Sequence, residues 1–154
     1  MADSDLDISN VPLDFSEYLM KGLENNKEPG VWKAGISFEI DDIPQTKYGN
    51  EVYRHESGFW KNDLFNGFYH VWIDIGLTLH DRSIQGQWWD AIRAYKPYTG
   101  RHLDWYLSKE TVREEDMYFW RATKDYFGWG MKFYKEALTD ADRDELFKKF
   151  NIKI

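Results

Sequence analysis

The first periodic segment of the chain follows Pro12. Phe15, Tyr18, Leu19 and Leu23 recur at i, i+3, i+4 and i+8 and trace one apolar stripe. This spacing predicts a helix that opens at Asp14, with Glu17 three residues on as in a capping box, and ends near Asn26. Gly22, inside the stripe, weakens that helix by about 1 kcal/mol. Residues 25–30 form a turn cluster, after which the period changes to two. Trp32, Ala34, Ile36, Phe38 and Ile40 alternate with Lys33, Gly35, Ser37 and Glu39, the pattern of a half-buried strand.

A second break spans 41–50. In 51–61, Val52, Tyr53, Phe59 and Trp60 suit a strand, with Gly58 at a bulge, and Asn66-Gly67 is the strongest hairpin signal in the chain. Residues 51–61 and 67–75 are therefore expected to pair. Residues 77–81 continue the meander, and 83–95 are read as a strand although Ile84, Trp88, Ala91, Ile92 and Tyr95 also fit a helical period. His102 to Leu107 reads as another short strand and 108–116 as a charged connection. Met117 to Lys124 and 126–137 read as a final hairpin turning at Lys124-Asp125, because Gly128 and Gly130 oppose the helix that Met117, Trp120, Phe127, Met131, Tyr134 and Leu138 would otherwise allow. Thr139 is the N-cap of a last helix with Ala141, Leu146, Phe147 and Phe150 as its buried stripe.

The expected order is thus helix, seven or eight strands, helix. Strands at short spacing with helices only at the ends predict a mainly β fold, an antiparallel meander closed into a small barrel, with an NTF2-like α+β cone as the alternative. Residues 1–11 are acidic and small and are expected to be flexible, leaving 12–154 as a single domain. Aromatic residues make up 18% of the 154 residues, enough for a core and a pocket besides. The 20 Lys and Arg against 27 Asp and Glu give a net charge of −7, which disfavours nucleic acid and anionic membranes as partners. The chain has no cysteine, so thiol nucleophiles, disulfides and cysteine-held metal clusters are excluded. No signal peptide or apolar run of membrane-spanning length occurs, from which a cytoplasmic location is expected.

Gly30-Val31-Trp32, at the head of the first strand, is similar to the Gly-x-Trp signature of the calycin barrels (lipocalins and fatty-acid-binding proteins). His55-Glu56-Ser57-Gly58-Phe59-Trp60 resembles a strand of the nitrobindin-like barrels, and 66–72 is similar to meander strands of lipocalin-like enzymes such as phenolic acid decarboxylases. The resemblance implies a calycin-like barrel, in whose family the Trp plugs the closed end. Heme binding is not carried over, because nitrobindin-like proteins use a histidine near the C-terminus and this chain has none after His102.

Strict alternation along 67–75 places Phe68, His70, Trp72 and Asp74 on one face and Tyr69, Val71, Ile73 and Ile75 on the other. Either face could be interior. If the first is, His70 and Asp74 act on opposite ends of one ligand, and Tyr53 and His55 on the paired strand complete an acid/base cluster. The bland alternative buries the second face and leaves His70 and Asp74 to water. Trp32, Phe68, Trp72, Phe119 and Trp129 are candidate ligand walls, or simply core. Metal binding is not expected, because the four histidines lack ligand spacing, and no phosphate loop or serine elbow occurs. Trp88-Trp89 must expose one indole if extended, which points to self-association as a homodimer or to another partner. The expected function is binding of a small, largely apolar or aromatic molecule, with cofactor-independent isomerisation, cyclisation or elimination (an isomerase, cyclase or lyase). The alternatives are a carrier without catalysis and a protein-interaction module.

Overall fold

The computed structural model describes residues 5–26, 30–71, 76–84, 86–87, 90–125 and 136–153. In chain order they form β1 (Leu6–Asp7), α1 (Phe15–Asn25), β2 (Lys33–Gly35), β3 (Ser37–Phe38), α2 (Lys47–Phe59), β4 (Phe68–His70), β5 (Thr78–His80), β6 (Ala91–Ala94), β7 (Thr99–His102), a 3-10 turn (Leu103–Tyr106), α3 (Glu114–Thr123) and α4 (Asp140–Lys149). They group into two compact units, Met1–Asp41 with Glu56–Leu103 and Asp42–His55 with Asp104–Ile154. The fold is α+β. Two mixed sheets, ordered β4-β6-β2-β5 and β1-β7-β3, replace the expected antiparallel meander, and no closed barrel forms among the described residues. The parallel pairs β2·β6 and β3·β7 are the physical reason, since a meander joins only antiparallel neighbours.

The first unit holds both sheets. Helix α1 appears where the apolar stripe placed it, and Leu19 is fully buried beside Ala34, Ile36, Phe68 and Ile92. The register pairs Phe68 with Ala94, His70 with Ile92, and Ala34 with both Ile92 and Leu79, so these side chains share the face that α1 covers. Burial of Phe68 alone is worth about 1.5–3 kcal/mol. Gly22 permits the approach, because a Cβ there would stand 2.4 Å from Phe68 Cζ. The rings of Tyr98, Tyr18 and Phe68 stack in series, with centroids 3.9 and 4.8 Å apart.

Residues 33–38 are buried on both faces, so the alternation that predicted a half-buried strand marks no solvent side. Residues 95–98 loop out between β6 and β7, and among the described residues of the strand expected over 83–95, Ala91–Ala94 are strand. Leu6 and Asp7, expected in a frayed terminus, pair with His102 and Arg101. The turn at Asn66-Gly67 is present: both residues have positive φ, 51° and 83°, and Phe65 and Phe68 exchange backbone hydrogen bonds of 2.7 and 2.9 Å. Its first arm is not a strand, however.

That arm, 51–61, lies largely in helix α2, which corrects the expected strand and its pairing with 67–75. Thr46 Oγ1 accepts from the Gly49 N–H at 2.9 Å, an N-cap that starts the helix. Tyr48, Val52 and Glu56 then fall at helical spacing, and all three are buried. The expected strand from Met117 is likewise α3. Glu114, Glu115 and Asp116 fill its first turn, where the helix dipole favours negative charge, and Met117 is buried. His102 to Leu107 splits into the end of β7 and a 3-10 turn.

In the second unit, α4 begins at Thr139 as expected, its hydroxyl accepting from the Asp142 N–H at 3.1 Å. Leu146 and Phe147 are buried, while Ala141 is exposed and Arg143 takes its place in the buried set, donating to the Leu138 carbonyl at 2.6 Å. Trp120 of α3 packs on Phe147 with ring centroids 5.4 Å apart. Among the described residues no helix is long and apolar enough to cross a membrane.

Candidate functional site

A cleft of about 480 Å³, counted with its open mouth, lies in the first unit between the C-terminal half of α1 and the chain from Phe65 to His70. Helical spacing brings Tyr18, Lys21, Gly22 and Asn25 to one side, since residues three and four apart neighbour each other. The turn brings Phe65 and Asn66 to the other, and β4 and β6 floor the cleft with Phe68, His70 and Ile92. Among the described lining residues, three aromatic rings form the walls, the polar groups are amides, the Tyr18 hydroxyl, one imidazole and one ammonium, and there is no carboxylate.

The ammonium is already paired. Lys21 Nζ lies 2.9 Å from Glu17 Oε1, with both side chains more than half exposed. The hydrogen bond to Glu17 holds the lysine above its ordinary value, and Lys21 holds the Glu17 carboxyl below its own. Asn25 donates from Nδ2 to the Lys21 carbonyl at 2.8 Å, capping the helix end, and the His70 carbonyl accepts from Asn62 Nδ2 at 2.7 Å. Burial pushes the Tyr18 hydroxyl up, so it stays a neutral donor, lying 3.4 Å from the Gly67 carbonyl.

The opposite face of the same sheet carries a second polar cluster. Tyr69 faces Arg93, and Lys33 faces His80 across the β2–β5 pair. Arg93, 5% exposed, donates to Glu56 of α2, 4% exposed, at 2.6 Å, and its guanidinium lies 5.2 and 5.1 Å from the rings of Phe38 and Phe59. Ser37 gives its single proton to the Ala94 carbonyl, so the 2.6 Å bond between its oxygen and Tyr69 has the tyrosine as donor. Burial raises the Tyr69 hydroxyl, which Ser37 and the Arg93 charge partly offset. His80 Nε2 lies 2.9 Å from Thr78 Oγ1, and burial above all, with the charge of Lys33 a smaller cause, lowers its affinity for a proton. These groups are committed to one another, which makes this face a packed polar core.

Of the residues expected to carry chemistry, Phe68 and His70 meet in the cleft. Tyr53 and His55 are exposed on α2 in the second unit, which removes the expected strand face next to His70. Trp32 packs edge-on to His80 at 4.8 Å and donates to the Gln87 carbonyl at 2.6 Å, away from the cleft lining. Phe119 is exposed on α3. Asp74, Trp72, Trp129 and the pair Trp88-Trp89 lie outside the described residues.

No family model, curated protein or solved structure matches the chain. The cleft is therefore read from its own side chains. Sequence reasoning missed Tyr18, Lys21, Asn25, Phe65 and Asn66. The available signal was the neighbourhood of Gly22, since a glycine inside an amphipathic stripe marks a close approach, and Lys21 and Asn25 flank it at i, i+4 spacing.

Proposed function

We propose that the first unit binds a small, largely apolar or aromatic organic molecule in this cleft and acts as a carrier or receptor for it. The observation that carries this reading is Phe65, whose ring is 57% exposed at the rim of a cleft already walled by Tyr18 and Phe68. Apolar surface there lies open beside a few polar tips, the usual composition of a small-molecule site. Acid/base catalysis is supported less, because Tyr53 and His55, expected beside His70, lie on α2 in the second unit. The other proton-transfer groups among the described lining residues, Tyr18 and Lys21, are both shifted upward and hold their protons.

A planar ligand of about ten heavy atoms at about 0.5 kcal/mol per atom gives about −5 kcal/mol, a Kd of the order of 0.1–1 mM. A panel of flat hydrophobic compounds at ten times that Kd should stabilise the protein by about 1.4 kcal/mol and raise its Tm by about 3–5 °C. Phe65→Ser should abolish most of the shift, whereas Leu64→Ser, exposed next to it but outside the lining, should not. A shift that survives Phe65→Ser, or none across a broad panel, overturns the reading.

A further inference from the structure

Resting on that ligand-binding reading, we infer that the cleft selects an uncharged, flat heteroaromatic ring with a hydrogen-bond donor and an acceptor side by side on its edge, the chemistry of a free nucleobase or nucleoside.

The electrostatics disfavour both signs of formal charge. A cation would meet the Lys21 ammonium. An anion would meet Glu17, 2.9 Å from Lys21, and the C-terminal end of α1, which carries roughly half a negative charge. Among the described lining residues there is no carboxylate and the one ammonium is paired, so together they are close to neutral.

The hydrogen-bonding groups then decide among neutral rings. The Asn66 amide offers one donor side and one acceptor side, and the His70 ring adds nitrogens beside it. An amide of this kind matches adjacent donor and acceptor atoms such as those on adenine, and Tyr18, Phe65 and Phe68 supply the aromatic faces on which such a ring stacks. A hydrocarbon of the same size would strip water from these polar groups and return nothing, a cost that an edge-bonding ring avoids. The net charge of −7 opposes a polyphosphate strand, so the free base or nucleoside is preferred to nucleic acid.

Equilibrium dialysis with three bicyclic probes separates the outcomes: adenine (neutral, with an edge), indene (neutral, without one) and indole-3-carboxylate (an anion). Adenine should bind fivefold or more tighter than either of the others. Asn66→Gly removes the amide while glycine keeps the positive φ of the turn, and it should weaken adenine about two- to tenfold, the worth of one hydrogen bond, with indene unchanged within twofold. His70→Leu should act in the same direction. If indene or the carboxylate binds within fivefold of adenine or tighter, or if both variants leave adenine binding unchanged, the inference fails while the ligand-binding reading stands. If none of the three binds up to its solubility limit, the ligand-binding reading fails and this inference with it.

Discussion

Gly22 shows how a local weakness and a tertiary requirement compete at one position. Alanine there would gain about 1 kcal/mol of helix propensity. Its Cβ would also stand 2.4, 2.7 and 2.8 Å from three atoms of the Phe68 ring, which is buried between α1 and the sheet and would have to give up its stacking on Tyr18 to move. Overpacking of this severity costs about 3 kcal/mol, so Gly22→Ala is expected to destabilise by about 2 kcal/mol net. Urea unfolding measures this, and a variant as stable as the wild type would contradict the packing of α1 on β4. The sequence shows Gly22 only as a defect in a stripe, because its partner ring lies 46 positions along the chain. The pairing of Phe68 with His70 on one strand face was legible, since alternation is a local property. Their meeting with Lys21 and Asn25 was not, since nothing in either segment encodes the other.

At the scale of elements, α1 and α4 were legible because each has an apolar stripe. Thr139 caps α4 through its hydroxyl, whereas the box expected at the start of α1 does not form, since Asp14 makes no side-chain cap bond and Glu17 pairs with Lys21. Helix α2 was hidden. One of its buried positions is Glu56, and a charged residue reads as solvent-facing until its partner Arg93, 37 residues away, is known. The aromatic and β-branched residues between then resemble a strand. This ion pair ties the end of α2 to the middle of β6, and its removal tests that placement. Glu56→Gln leaves the guanidinium of Arg93 buried among Phe38 and Phe59 without its countercharge, and a loss of about 3–5 kcal/mol is expected in chemical denaturation. A loss below about 1 kcal/mol would mean that Glu56 faces water and does not pair with Arg93. Helix α3 was misread for a different reason: Gly128 and Gly130, taken as breakers of one long helix, lie beyond its last residue, Thr123.

For the whole molecule, the turn rhythm indicated strands but not their partners. The same short segments form a meander barrel if each pairs with its sequence neighbour and a mixed sheet if β2 pairs with β6 across 58 positions, and periodicity is blind to the difference. Neither the closure nor the antiparallel order came through, because two of the pairs are parallel and two of the expected strands are helices. The pocket proposal rests on the aromatic surplus rather than on a barrel, and we propose the cleft of the first unit for it. Chemical-shift mapping on the 15N-labelled full chain, titrated with a saturating flat aromatic compound from the panel, tests that location most directly. The account predicts that amide shifts concentrate in residues 18–26 and 65–70, with those of α3 and α4 unmoved. Perturbations centred on α3 and α4, or spread evenly over the chain, would contradict it.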